Sequence, residues 1–440
     1  MDCMAIASRK NLWLIQHLKA REFNPIRVTS SISQRVPFRE LLNQGSVNYR
    51  KDRLLIKQIK KAFADGFQNE DPQEETATRQ AAYCLTLGIS PRLLDEHMRP
   101  FYRNLLKVSA ERADKHKERM DAFKAEHGPG VRLPLDNCCE EQTNMCKILR
   151  QIKKDVPRTT STFNQEIFNE SMQSGNNPIY NLLAAYAELD EELGYTQGMN
   201  FLVAMVYVAV RDEEIAFCVF RRIMQSKQQA KQIQMDLAPA LRDSQALKNL
   251  PEWRFLYTDG MKKLGAFVAD INEWLIETKR MLYIHFESRK ILLEVCLSNP
   301  FLSLFSNIIP NQQALKVMDR FIHFGQKALV QIVKNILTTQ QDKLLRITDQ
   351  FELQQYLARQ MFMDAITEGN FFPTMPEQSA IMYTAASPAS YEPHKKTLNF
   401  TRRKTDGKIE TIMMKTIGVS SKTDQIAANR QTFGLSASHH

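Results

Sequence analysis

The sequence predicts an all-α protein. Glycine is scarce, with 15 residues in 440, and few segments alternate apolar and polar side chains as strands do. Apolar residues recur instead at spacings of three and four, which is the period of one helix face. Because 43% of the residues are hydrophobic, the chain is able to bury one large core or two to three ordinary ones.

Helices are expected through most of the middle of the chain. Residues 79–88 have an apolar face and end at a glycine suited to a helix C-cap. The charged run 107–127 predicts a solvated helix, which Gly128-Pro129-Gly130 must end. Further helical patterns occupy residues 179–189, 199–210, 215–223, 274–304, 315–322 and 329–336, with a bend expected near Gly325.

Several classes of function are excluded by missing patterns. The seven cysteines and nine histidines lack the spacing of a zinc site, so neither a metal nor another cofactor is expected. The apolar run 201–210 is about half as long as a membrane span requires. No Gly-x-x-x-x-Gly-Lys-Ser/Thr loop is present, so the chain is not itself a nucleoside triphosphatase of that type.

The positive charge is concentrated at the two ends of the chain. Of the net charge of +10, residues 1–60 carry +8 and residues 380–440 carry +5, so that the middle is slightly acidic. Residues 380–440 also lack the apolar period needed to fold alone. We therefore expect a basic N-terminal arm over 1–74, a helical domain over 75–365 and an extended basic tail over 366–440.

Two short motifs carry the functional signal. The first is Ile152-Lys153-Lys154-Asp155-Val156-Pro157-Arg158-Thr159, and the second is Gly194-Tyr195-Thr196-Gln197-Gly198-Met199-Asn200. In this order, an Ile-x-x-Asp-x-x-Arg followed by a Tyr-x-Gln-Gly-Met resembles the catalytic motifs of the TBC-domain Rab GTPase-activating proteins. The resemblance extends over about residues 75–360, and Arg79 opens the earliest family-like motif.

The resemblance implies both a fold and a mechanism. The fold would be all-α, with two helical lobes and a catalytic groove on one face. Arg158 would be an arginine finger, and Gln197 a glutamine finger acting in place of the glutamine of a Rab-type small GTPase. A guanidinium can neutralise charge on a transferring phosphoryl group, and an amide can orient the attacking water.

Each site residue also has a simpler interpretation. Arg158 by itself would form a surface salt bridge to Asp155, and Gln197 would cap a loop. Asp155 would orient Arg158, contact Arg79, or lie as a solvated carboxylate near a helix N-terminus. In the family interpretation Tyr195 packs in the groove wall, and Gly198 allows the backbone to turn. Asp319 is expected to be a packing or capping residue without chemistry.

The sequence also departs from the family pattern at several positions. Tyr83, Pro300 and Met318 stand where the family usually has tryptophan, and we expect all three to be packing positions. Thr160, Ser161 and Thr162 follow the Arg-Thr pair, where the family usually has a proline shortly afterwards.

A second hypothesis is a structural role. A scaffold of the same fold would use its basic arms to sit on an acidic protein lattice, with tubulin as the first candidate. No nucleic acid partner is expected. The expected location is the cytoplasm, with a cilium axoneme or another cytoskeletal assembly as the alternative. Import into mitochondria is less favoured, although the basic, acid-poor first 35 residues are compatible with a presequence.

Overall fold

The computed structural model describes residues 53–67, 71–128, 145–163, 177–230, 250–373, 399–403 and 409–413. Every regular element described between residues 53 and 373 is helical, which confirms the all-α prediction for the domain. The helices of the first half are α1 (Arg53–Asp65), α2 (Pro72–Thr86), α3 (Pro91–Leu93), α4 (Arg99–His127), α5 (Met145–Thr162), α6 (Pro178–Leu189), α7 (Met199–Val210) and α8 (Glu213–Met224).

The second half of the domain begins with two short 3-10 turns, Trp253–Leu256 and Asp259–Met261. The helices that follow are α9 (Lys262–Thr278), α10 (Arg280–Ser288), α11 (Leu293–Leu302), α12 (Asn311–Phe324), α13 (Gln326–Thr339), α14 (Gln341–Arg346), α15 (Gln350–Gln355) and α16 (Met361–Thr367). One π-helical turn, Leu94–Met98, joins α3 to α4, and a second, Tyr356–Gln360, joins α15 to α16.

Helix α7 lies at the centre of the domain. Ten of its twelve residues are buried, and it packs against α2, α5, α6 and α8 from the first half and α11 and α12 from the second. A helix that is apolar on all sides has to be enclosed by others. Helix α7 therefore joins the two halves into one core and fixes the position of the loop that precedes it.

The domain begins earlier in the chain than the sequence analysis predicts. Helix α1 falls within the expected N-terminal arm, yet Ile59, Phe63 and Phe67 are buried and α1 packs on α12. The Phe63 ring stacks at 4.7 Å on the ring of His323. Ile59 and Phe63 are four positions apart and so lie on one face of α1, and Phe67 follows two residues after the helix ends. The lysines between them led us to assign the segment to the basic arm.

The expected tail contains secondary structure of its own. Strands β1 (Asn399–Arg403) and β2 (Ile409–Met413) pair antiparallel, with Asn399 opposite Met413. They belong to a unit separate from the helical domain. The sequence between them contains Asp406-Gly407, a dipeptide typical of hairpin turns, which the sequence analysis did not use.

Most of both basic arms lies outside the described residues. The prediction that these arms contact an acidic lattice such as tubulin therefore stays a prediction, as does each expected location. Within the described part of the chain, no helix has both the length and the apolar composition needed to cross a bilayer.

The burial of Phe63 gives a direct test of the revised domain boundary. We expect Phe63→Ala to lower the free energy of unfolding by about 3–5 kcal/mol, because it removes a fully enclosed ring and leaves a cavity. Lys61→Ala, on the exposed face of the same helix, should change it by less than about 0.5 kcal/mol. Urea unfolding followed by circular dichroism measures both. Equal effects of the two substitutions on the free energy of unfolding would contradict the assignment of α1 to the helical domain.

Candidate active site

Helix α5 presents the first motif with its polar residues on two sides. Ile152, Asp155 and Thr159 are buried, whereas Arg158 is exposed. The side chains at 152, 155 and 159 share one face because they are three and four residues apart. Arg158 thus lies within a helix rather than on a loop, and this helix is anchored to the core by the residues on either side of the arginine.

The second motif forms the connection between α6 and α7. Gln197 is exposed in this loop, and Gly198 is the residue immediately before α7. The backbone of Gly198 has φ +108°, and a Cβ built there would lie 3.2 Å from Cβ of Leu302. The requirement for glycine that the sequence suggested therefore has two causes, a left-handed backbone and close packing against α11.

Two hydrogen bonds join α5 to the Gln197 loop, one from each side of the glutamine. Tyr195 donates its hydroxyl to Oδ2 of Asp155 at 3.0 Å. Asn200 donates its Nδ2 to Oγ1 of Thr159 at 2.6 Å. Because these four residues flank Gln197 in one segment and Arg158 in the other, the structure brings the two exposed side chains onto joined elements.

Asp155 acts as an acceptor for the loop. Besides Tyr195, its Oδ2 accepts from Nε2 of Gln151 at 2.9 Å, one helical turn earlier. Burial, and then the charge of Asp155, raise the pKa of Tyr195 above its ordinary value. The phenol therefore keeps its proton at neutral pH and remains the donor in the contact that joins the two motifs.

Asn200 and Thr159 are site residues that the sequence analysis missed. Asn200 Oδ1 also accepts from the backbone N–H of Gly198 at 2.9 Å, so one amide binds both the loop and helix α5. Thr159 donates its hydroxyl to the carbonyl oxygen of Asp155 at 2.9 Å. A signal was available, since Asn200 is the single amide in the otherwise apolar helix Met199–Val210.

Arg79 forms ion pairs with Asp319 and Glu75 and not with Asp155. Its Nε donates to Oδ1 of Asp319 on α12 at 3.0 Å, and its Nη2 donates to Oε1 of Glu75 at 2.8 Å. Tyr83 donates its hydroxyl to the same Asp319 oxygen at 2.7 Å. The alternative that Asp155 contacts Arg79 is wrong, because the arginine is needed to compensate a buried carboxylate elsewhere.

Asp319 has the packing role that the sequence predicted, in the form of a buried ion pair. Its carboxylate is fully buried, and burial raises its pKa against the opposing effects of Arg79 and Tyr83. The three positions that depart from the family tryptophans, Tyr83, Pro300 and Met318, are all buried. Their expected role in packing is confirmed.

Metal ligands are not gathered at this site. Within the described ranges, no three or more histidine, cysteine, aspartate or glutamate side chains are grouped so as to hold a metal ion. The chemistry offered by the exposed side chains is that of a guanidinium and an amide, which bind oxygen atoms of a partner.

Replacing Gly198 tests the local geometry. We expect Gly198→Ala to destabilise the domain by about 1–3 kcal/mol, since a side chain here is strained and meets Leu302. Gly265→Ala is a matched control in helix α9, where a Cβ would meet nothing within 4 Å. That change should stabilise the domain by about 0.4–1 kcal/mol. Urea unfolding compares them, and a shift of the same sign for both would contradict the assignment.

The two arginines should differ sharply in their effect on stability. Arg79→Met leaves Asp319 buried without its cation, so we expect a loss of about 3–5 kcal/mol in the free energy of unfolding. Arg158→Met, on an exposed position, should change it by less than about 0.5 kcal/mol. Thermal unfolding of both variants measures the two changes in stability. If the Arg79→Met protein were as stable as the parent, the structural role of Arg79 as the partner of Asp319 would be contradicted.

Comparison with family models identifies the domain. Residues 136–250 match the Rab-GTPase-TBC domain, and residues 246–379 match the RabGAP TBC domain. The two matches overlap at residues 246–250 and together cover more than half of the chain. They include both motifs and helices α5 to α16.

Individual relatives are similar over the same region. A human protein, the ecotropic viral integration site 5 protein homolog, is 26% identical over 216 residues, which are 49% of this chain and 23% of the relative. The Rab GTPase-activating protein eat-17 of Caenorhabditis elegans is 26% identical over 210 residues, or 48% of this chain and 20% of the relative. The matched region thus spans about a fifth to a quarter of the length of these relatives.

A solved structure, the Chlamydomonas flagellar RabGAP TBC domain, aligns with 76% of this chain and 96% of its own at 16% identity, with a TM-score of 0.39. That superposition is too loose to equate single residues. The two family matches establish the assignment. This chain belongs to the TBC-domain family of Rab GTPase-activating proteins.

Proposed function

We propose that this chain activates GTP hydrolysis by a Rab-type small GTPase, with Arg158 and Gln197 supplied in trans. The observation that carries the proposal is the pair of hydrogen bonds, Tyr195 to Asp155 and Asn200 to Thr159. They hold the helix of Arg158 against the loop of Gln197 while both side chains stay exposed. Two exposed polar side chains on elements that are bonded to each other suit an external substrate.

In the proposed reaction, the nucleotide remains bound to the GTPase. A water molecule attacks the γ-phosphorus, and the bond between this phosphorus and the oxygen that bridges it to the β-phosphate breaks. Negative charge develops on the phosphoryl and leaving-group oxygens. The Arg158 guanidinium stabilises this charge through two parallel N–H donors. The Gln197 amide accepts a hydrogen bond from the attacking water and so orients it.

The buried and half-buried neighbours of these residues perform the positioning. Asp155 and Thr159 hold helix α5, while Tyr195 and Asn200 hold the loop, and none of the four needs to touch the nucleotide. Groups that are fixed before the partner arrives require little reorganisation when charge develops. This explains why one of the hydrogen bonds is buried and the other partly buried, although the two reactive side chains are exposed.

Single-turnover GTP hydrolysis across a panel of Rab proteins tests the proposal. For a Rab that the parent protein stimulates, we expect Arg158→Ala to lower the stimulated rate by about 10³–10⁵-fold. Gln197→Ala should also lower it by orders of magnitude, because both groups act mainly in the transition state. Binding to the Rab loaded with a non-hydrolysable GTP analogue should persist in both variants.

Two exposed residues provide matched controls. Arg150→Ala removes an arginine two turns away on the same helix, and Gln312→Ala removes an exposed glutamine on α12. Both should leave the stimulated rate within about twofold of the parent. A parent protein that stimulates no Rab, or an Arg158→Ala variant with the full rate, contradicts the proposal.

A further inference from the structure

A short segment beside the Gln197 loop exposes two large apolar side chains. Phe255 is 38% exposed and Met261 is 42% exposed, and they lie on the two 3-10 turns between residues 253 and 261. We refer to Phe255 and Met261 together as the apolar turn surface. Its neighbours Trp253, Leu256 and Tyr257 are buried, so the segment is firmly seated while these two side chains face outward.

The segment is tied to the first end of the loop that carries Gln197. Arg254 donates to both carboxylate oxygens of Asp190, at 3.1 Å and 3.2 Å from its Nη2, and to Oε2 of Glu192 at 3.2 Å. Asp190 is the residue that follows helix α6. The guanidinium and carboxylate are both largely buried, so this contact sets the position of Phe255, the next residue, relative to the loop.

A second contact ties the segment to the other end of the same loop. The Tyr257 ring lies 3.4 Å from the position that a Cβ on Gly198 would take. Tyr257 also donates its hydroxyl to the carbonyl oxygen of Leu302 at 2.8 Å. With Arg254 at one end and Tyr257 at the other, the segment 253–261 contacts both ends of the loop 190–198.

The backbone of the segment is held in an unfavourable conformation. Glu252 has φ +49° and Met261 has φ +41°, a left-handed region that side chains other than glycine rarely adopt. Lys263 Nζ donates to the carbonyl oxygens of Pro251 and Glu252 and so holds the entry to the turns. Strained backbone of this kind persists where the surroundings enforce it, and it is concentrated at functional surfaces.

We propose that the apolar turn surface is a docking site for the GTPase, and that Phe255 and Met261 contact an apolar patch next to its nucleotide. The proposal rests on the proposed function, because it takes the face of Gln197 as the one that meets the partner. Contact between the two segments is the reason for choosing this occupant. A protein that brings a nucleotide to Gln197 meets a loop whose two ends are in contact with the segment of Phe255 and Met261.

Other exposed apolar side chains offer a comparison. Phe351, on helix α15, is 68% exposed, more than either member of the apolar turn surface. Exposure alone would therefore rank Phe351 first as a docking residue. It lies outside residues 190–198 and 253–261, so Phe351→Ala is a matched control for the loss of an exposed aromatic ring.

The test separates binding from catalysis in hydrolysis of GTP by a Rab that the parent protein stimulates. We expect Phe255→Ala and Met261→Ala each to raise KM about tenfold, since buried apolar contacts at an interface are worth about that factor. The kcat should stay within about twofold. Affinity for the Rab loaded with a non-hydrolysable GTP analogue should fall by the same factor, and Phe351→Ala should change neither value.

Three results would overturn the inference, given an active parent protein. They are an unchanged KM in both variants, a loss confined to kcat, and an equal loss in Phe351→Ala. Thermal unfolding of each variant guards against misfolding, and the double variant Phe255→Ser/Met261→Ser provides a stronger change at exposed positions. An inert parent protein gives a different result, because it contradicts the proposed function before any variant is compared.

Discussion

The near-complete enclosure of helix α7 is the constraint on which the remaining structure depends. Its apolar side chains face every direction, so helices from both halves of the domain must surround it. Because the helix cannot shift within this packing, its first turn is fixed in space. The preceding residue, Gly198, then has only the narrow gap beside Leu302 available. The exposed position of Gln197 follows from the burial of its neighbours.

Asn200, the one side-chain amide on this helix, links the packed core to the candidate site. A buried polar side chain that finds no hydrogen-bond partner destabilises the folded state. Asn200 avoids this by donating to Thr159 and accepting from the N–H of Gly198. The requirement to satisfy one buried amide therefore aligns helix α5 with the Gln197 loop. The Tyr195 hydroxyl, donated to Asp155, repeats the arrangement on the other side.

The sequence predicted the helical class and the main helices because both depend on local spacing. The two motifs were also visible, since their residues are contiguous. The contact from Asn200 to Thr159 joins residues 41 positions apart, and no local pattern specifies such a pairing. Arg79 was placed near the site for the same reason, because its partner Asp319 is 240 positions away. Helix α1 was missed because its lysines and arginine outnumber the buried apolar residues Ile59 and Phe63 on its inner face.

The contrast between Arg79 and Arg158 shows how burial separates charge used inside the domain from charge that stays at its surface. An arginine stays protonated in a protein, so a buried guanidinium needs anions close by. The Arg79 guanidinium is paired with Asp319 and Glu75 within the domain. Arg158 lies on a helix whose inward positions are filled by Asp155 and Thr159, which leaves its charge at the surface. A guanidinium at the surface remains accessible to another molecule. The enclosure of α7 and the two hydrogen bonds between its preceding loop and helix α5 keep this surface position fixed.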